Sequence, residues 1–335
     1  MSLTMIQTAI EHNRELKRIA RNASATAAGI WALMGDDFDA SWRIISPAIY
    51  DTVTTAQREA VNASQGYVDS ALEALDIPSE SLAGTRPAQL VGVASSGALL
   101  LPVLYGAVIT AKKSMRGKSD VAEALKAGRD RLESTVNLQA ADAGRMATSL
   151  DMVSHKNVSG MVRVVVPPAC DRCVVLAGRY YPWSQGFRRH PKCDCTMTPA
   201  NRSVEGELTT DPYEYFNSLS QEQQNVRFGK SNAQAIRDGA DIFQIVNSRK
   251  ELYTASGGLK ATRYGTTRRG NWGYQQTKHI KTSRSKYTRA TKVRLMPEEI
   301  YRMAGGNREK ALRLLQQNGF VFEQGQNPFG VVRGH

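Results

Sequence analysis

The sequence predicts a mainly helical protein with one small β-containing zinc-knuckle unit, an α+β arrangement, and an extended basic arm near the C-terminus. Three observations predict it. Apolar residues recur at helical spacing through residues 1–157. All four cysteines fall within residues 170–195. Residues 260–294 hold eleven lysines and arginines and no acid. The composition is that of a chain able to bury a core, with 41% hydrophobic and 22% charged residues. The net charge of +13 and pI near 9.7 favour a polyanionic partner.

Residues 1–78 read as an N-terminal helical region. Ile6, Ala9, Ile10, Leu16 and Ile19 lie near one face of a helix over 3–21. Gly35-Asp36-Asp37 breaks the next helix, and Phe38 to Ile45 begins another. Pro47 fits a helix's first turn. The pattern Ile49, Val53, Ala60, Tyr67, Leu72, Leu75 then runs on to Ile77-Pro78.

Residues 79–157 form a second helical region. The stretch 89–111 is uncharged and long enough to span a bilayer. Gly92, Gly97, Gly106 and Pro102 divide it, so it is expected as two buried apolar pieces with no membrane partner. Ser119 is placed to cap a long helix with the stripe Val121, Leu125, Leu132, Val136, Ala140, Ala143 and Leu150. Nothing in these regions forms a catalytic constellation.

Residues 158–200 carry the chemistry. A β-branched strand over 161–166 leads through Pro167-Pro168 into Cys170-Asp-Arg-Cys173, and His190-Pro-Lys-Cys193-Asp-Cys195 follows. Two close pairs separated by a loop suit a tetrahedral zinc ion. No segment at the N-terminus resembles a signal peptide, so reduced thiols are expected rather than disulfides. Cys170, Cys173, His190, Cys193 and Cys195 are five candidates for four positions. A full protein shell leaves no position for substrate, so the Zn2+ is expected to be structural. Tyr180, Tyr181, Trp183 and Phe187 are expected to cover it.

Residues 201–250 contain short capped helices. Asp211-Pro212 is a start signal, Ser220-x-x-Gln223 and Ser231-x-x-Gln234 read as capping boxes, and Gly229 and Gly239 as stops. Residues 251–294 form the basic arm. Lys260, Arg263, Arg268, Arg269, Lys278, Lys281, Arg284, Lys286, Arg289, Lys292 and Arg294 are interleaved with Tyr264, Trp272, Tyr274 and Tyr287. Apolar periodicity is absent, so the arm is expected to be extended or flexible. Cations can neutralise phosphates and aromatic rings can stack on bases, which points to non-specific contact with nucleic acid; docking on an acidic protein is the alternative. Residues 295–335 hold two C-terminal helices, the second capped by Asn307 and stopped at Asn318-Gly319, and a tail.

Several stretches resemble one family. Residues 160–178, with Pro167-Pro168 and the first cysteine pair, followed by His190-Pro-Lys-Cys193-Asp-Cys195, resemble the Mu F-like minor head (minor capsid) proteins of tailed phages, in their actinobacteriophage branch. Residues 235–249, Pro297 with Ile300-Tyr301, and Leu314-Leu315 with Gly319-Phe320 agree with it. The resemblance implies a virion protein inside the head near the portal vertex, present in host cytoplasm during assembly. Its implied partners are the portal protein, the major capsid protein and packaged double-stranded DNA. Its implied role is support of head assembly and of DNA packaging or ejection. Relatives in the branch are also labelled capsid maturation proteases. That alternative needs a nucleophile, a base and an orienting group brought together, and no Ser or Cys motif marks a nucleophile here.

Overall fold

The structure, a computed structural model, describes residues 2–82, 84, 86–166, 170–182, 195–201, 212–280 and 285–322; side chains are described from residue 6 onward. It is mainly helical with small antiparallel sheets, and it divides into two compact units. Among the described residues, unit 1 comprises those up to Val164 with 180–182 and 196–201. Unit 2 comprises 165–179, Cys195 and those from Pro212 onward.

Unit 1 is built on helices α1 (Ser2–Trp31), α2 (Phe38–Ala63), α3 (Tyr67–Glu73), α4 (Leu100–Arg116) and α5 (Val121–Ser154). Trp31, Trp42, Ile49, Leu104 and Leu132 lie in its main core. α5 packs closely because its contact face is small. A Cβ at Gly128 would stand 2.5 Å from Trp31 Cζ2, and one at Gly144 2.5 Å from Leu16 Cδ2. Asp37 caps α2, with its carboxylate accepting from Ala40 N at 2.9 Å. Asp120, and not the expected Ser119, caps α5 by accepting from Glu123 N at 2.7 Å.

Two other expectations change. α2 runs unbroken through Pro47 instead of starting there. Proline removes the bond to the Arg43 carbonyl, but the buried face of Ile45, Ile49 and Val53 continues across it. The apolar pattern expected to run on from α2 breaks at Gly66, which has φ +73° and starts α3. The uncharged stretch 89–111 is not one helix. Buried Gln57 and Gln139 hold its turn: Gln57 Nε2 donates to Val93 O at 2.9 Å and its Oε1 accepts from Gly92 N at 2.8 Å, while Gln139 Oε1 accepts from Ser95 N at 2.7 Å. Among the described residues, no helix is long and apolar enough to cross a membrane.

A three-stranded antiparallel sheet completes unit 1, ordered β2–β1–β3, with β1 (Gly160–Val164), β2 (Tyr180–Pro182) and β3 (Thr196–Ala200). Val162 faces Tyr180 on one side and Thr198 on the other. Tyr180 and Tyr181, expected to cover the metal, instead pair with β1 and pack on unit 1's small cores. Trp183 and Phe187 lie outside the described residues.

Unit 2 contains α6 (Asp171–Val174), α7 (Pro212–Ser218), α8 (Gln221–Phe228), α9 (Lys230–Arg237) and α10 (Ile242–Ser248). The hairpin β4 (Leu252–Ala255) and β5 (Leu259–Thr262) follows, then α11 (Asn271–Thr277), α12 (Pro297–Ala304) and α13 (Arg308–Gln317). Val175, Phe216, Phe228, Ile242, Ile245, Ile300, Leu315 and Phe320 form its core. Ser220 and Gln223 make the expected capping box. Ser231 does not make one, because α9 already begins at Lys230 with Gly229 before it. Asn307 caps α13, accepting from Lys310 N at 2.9 Å.

The described part of 251–294 is folded, not extended. β5 is joined to the chain beyond it by Thr262 N donating to Arg294 O and Met296 N to Lys260 O, both at 3.0 Å. Trp272 is buried and donates to Gln317 O at 2.9 Å. Thr262, Thr266 and Thr277 are buried as well. The segment is held by hydrogen bonds to buried polar groups, which apolar periodicity does not register.

Candidate functional site

The cysteine pair predicted from its spacing comes together in unit 2. Cys170 precedes α6 and Cys173 lies inside it, so the turn brings both sulfurs to one side at 3.2 Å. That separation is far beyond a disulfide bond, so Cys170 and Cys173 are not bonded to each other. Cys173 and Cys195 are buried at 2% and 1% exposure. His190 and Cys193 lie outside the described residues. Among the described residues, no three His, Cys, Asp or Glu side chains form a set that could hold a metal ion. Two converging sulfurs fit half of a tetrahedral donor set.

Sequence reasoning passed over Asp171, inside the motif. Its carboxylate is buried, accepts from Arg172 N at 2.8 Å and pairs with the Arg249 guanidinium. An acid in the first turn of a helix is the local signal that could have drawn attention to it. Its partner, 78 residues on, has no such signal.

The nine described among the eleven basic residues separate into two groups. Arg294 is 1% exposed. It donates to Asn318 O at 2.8 Å, Tyr264 O at 2.8 Å, Gln244 Oε1 at 3.0 Å and Gly319 O at 3.1 Å. Burial lowers its pKa to about 10. Arg268 donates to Thr277 O at 2.6 Å and Ile280 O at 3.0 Å. Arg289 donates to Thr266 Oγ1 at 2.9 Å and Arg263 O at 3.2 Å. These three arginines hold the fold, and Arg294 is out of reach of a phosphate. Lys260, Arg263, Arg269, Lys278, Lys286 and Lys292 are exposed. Arg269 and Lys286 both stand over Tyr287, at 6.0 and 5.4 Å from its centroid, and Tyr287 is 62% exposed. Lys281 and Arg284 lie outside the described residues.

A Ser-His-Asp grouping does occur, in unit 1. His155 Nε2 is 3.1 Å from Asp69 Oδ1, and its Nδ1 is 2.8 Å from Asp151 O and 3.4 Å from Ser154 Oγ. Ser154 Oγ donates to Asp151 O at 2.7 Å. Burial by itself would lower the His155 pKa; the Asp151 carbonyl, the Asp69 carboxylate and the Asp151 charge outweigh it, and the pKa is raised. The two His155 ring nitrogens face the Asp151 carbonyl and the Asp69 carboxylate. The Ser154 hydroxyl donates to the Asp151 carbonyl, the same oxygen that His155 Nδ1 faces, so the serine proton is not aimed at the ring. The grouping closes the C-terminus of α5.

No protein-family model, curated protein or solved structure matches the chain.

Proposed function

We propose that this chain is a minor head protein of the Mu F-like kind, a virion component near the portal that supports head assembly and DNA packaging or ejection. The observation that carries the reading is the cysteine block. Its order resembles that family, and its first pair has sulfurs 3.2 Å apart. Cys170 and Cys173 would hold a structural Zn2+ with two of His190, Cys193 and Cys195. The ion would supply folding energy to a short loop and no reaction chemistry. The exposed Arg269, Lys286 and Tyr287 group supports contact with packaged duplex DNA, where cations meet phosphates and a ring offers a stacking face. The portal and major capsid proteins are the proposed protein partners.

The capsid maturation protease alternative draws no support from His155, whose nitrogens both face acceptors. Co-expression with the major capsid protein tests it, since cleavage abolished by a single Ser or His substitution would revive it. The head-protein reading is tested by mass spectrometry of purified, nuclease-treated virions and proheads. The chain should be present at low copy number in the heads. Its absence from both particles overturns the reading.

A further inference from the structure

We propose that β4 is an open docking edge of unit 2, which takes an extended acidic segment of a partner protein as an added antiparallel strand. The inference stands apart from the head-protein reading and from the group of Arg269, Lys286 and Tyr287.

The hydrogen-bond order of the hairpin decides which groups face outward. Arg263 N donates to Glu251 O at 2.9 Å, so these two residues form a hydrogen-bonded pair. Such pairs alternate along an antiparallel ladder, and the register sets Leu252 against Thr262 and Thr254 against Lys260. Leu252 and Thr254 therefore turn their N–H and C=O groups away from β5. Their cross-strand neighbours obey the same alternation. Thr262 N donates to Arg294 O and Lys260 O accepts from Met296 N, both at 3.0 Å, on the far side of β5. That side is closed further out, where Leu295 N donates to Asn318 Oδ1 at 2.8 Å. The β4 side is open. Among the described residues, β4 pairs with β5 alone, and Leu252 and Thr254 are exposed. Edge strands are normally guarded by charge, proline or a bulge, yet Leu252-Tyr-Thr-Ala255 holds no charged residue and no proline. An unguarded row of outward donors and acceptors is a template for another strand.

The side chains select the kind of strand. Leu252 is 55% exposed. It shares a face with Thr254 and Lys260, because cross-strand neighbours lie on one side of a sheet. The other face carries Tyr253, and the exposed Arg263 guanidinium stands 5.1 Å from its ring centroid. Arg263 thus brings a cation to the edge strand, and among the described residues it forms no ion pair with a carboxylate. Lys260 lies behind the short Thr254, and Glu299, the carboxylate that feels its charge, is already paired with Arg302 at 2.7 Å. Glu251 is the one acid in residues 251–262. A second copy fits this edge poorly, since β4 against β4 would gather the Arg263 and Lys260 charges of both copies. Duplex DNA would answer the cations but neither Leu252 nor the alternating N–H and C=O groups. An extended peptide with apolar side chains on one face and carboxylates on the other answers all three.

The test uses the full-length chain and a short fluorescent peptide of alternating valine and glutamate, followed by anisotropy and amide hydrogen exchange. Binding should slow exchange at Leu252 and Thr254 and leave Tyr253 and Ala255, already paired with β5, unchanged. With valines on the Leu252 face, the paired peptide residues are the valines. N-methylation of the valine nitrogens should therefore abolish binding, and N-methylation of the glutamate nitrogens should not. A valine–serine peptide should bind at least about threefold more weakly. Thr254→Pro removes an outward donor at an edge position that tolerates proline. It should weaken binding at least about tenfold while keeping the parent melt. Should that variant not fold, Arg263→Gln carries the test, because it leaves the backbone edge intact and should erase most of the preference for glutamate over serine. Unchanged exchange at Leu252 and Thr254, or equal loss with both methylated peptides, overturns the proposal. Self-association in sedimentation that Thr254→Pro abolishes would give the edge to a second copy, and a DNA duplex that protects the same two amides would give it to nucleic acid; either result also overturns the proposal. Virion composition tests the head-protein reading separately.

Discussion

Arg294 Nη2 donates to Gln244 Oε1 at 3.0 Å, joining the last basic residue of 260–294 to α10 inside unit 2. The same guanidinium satisfies the carbonyls of Tyr264, Asn318 and Gly319. Phe320 and Trp272 lie against its plane, at 4.6 and 5.9 Å from the ring centroids. Arg294→Met keeps much of the volume and strands these acceptors. It should destabilise the protein by at least about 3 kcal/mol in urea unfolding, because each buried acceptor left unpaired costs about 1–3 kcal/mol. Unchanged stability would show that the buried network contributes little.

His12 gives unit 1 an acid-sensitive point. Its ring stacks on Tyr67 with centroids 4.1 Å apart, and its Nε2 is 3.2 Å from Thr148 Oγ1. Burial lowers its pKa from 6.5 to about 4, opposed in part by the Ala63 carbonyl. Below pH 6.5 the unfolded chain takes up a proton that the folded chain refuses until about pH 4. Stability should therefore fall through that window by up to about 3 kcal/mol. His12→Gln should be less stable at neutral pH but flatter across the acid limb. An acid limb as steep as the parent's would exclude His12 as its source.

His155 acts with the opposite sign. Its raised pKa contributes stability that is complete below its unfolded value and is lost as pH rises through its folded value. In chemical unfolding across pH, His155→Gln should remove that alkaline-side loss. The variant should also free the loop at Ser81, which bridges to His155, and raise amide exchange at Leu82, whose N–H donates to Ser154 O at 2.7 Å.

Gly128 sets how closely α5 approaches its neighbours. Alanine normally favours a helix interior by about 1 kcal/mol over glycine. Here the added Cβ would meet Trp31 Cζ2 at 2.5 Å and Ala107 O at 3.1 Å. Gly128→Ala should therefore lower stability by about 1–3 kcal/mol, measured by thermal or urea unfolding. A gain in stability would mean that Trp31 moves aside without loss.

Elemental analysis of the reduced chain should find zinc bound at the cysteine block. Cys173→Ser should remove it and lower solubility. Acid should release the metal as the thiolates take up protons. A metal-free chain that stays folded, with all four thiols reactive before and after chelation, would sink the zinc proposal.

Local signals were legible wherever a short stretch decides its own geometry. Ser220-x-x-Gln223, Asn307 and the positive-φ glycines at 229 and 239 are cases where side chain and turn are neighbours. The proximity of Cys170 and Cys173 belongs to the same class, since one helical turn sets it. Pro47 was misleading because apolar burial on both sides overrides a missing N–H. Tyr180 and Tyr181 were misassigned because their partner is β1, a pairing set by the fold and not by the adjacent cysteines. The segment 260–294 hid its structure because threonine and arginine take the interior places where apolar residues would have announced it. Asp171 and Arg249 were invisible as a pair for the same long-range reason.

Val175 belongs to the core of unit 2, with Leu176 packed against it, although its segment leaves the chain between β1 and β2 of unit 1. Dissection of the gene is constrained accordingly. A truncation beginning near residue 212 would produce a C-terminal fragment with a hole where two apolar side chains belong. A fragment ending at Val164 would leave β1 without either neighbouring strand. Separate expression of the halves should yield aggregation-prone pieces, and a soluble unit 2 would need residues 165–179 supplied by a tether or in trans.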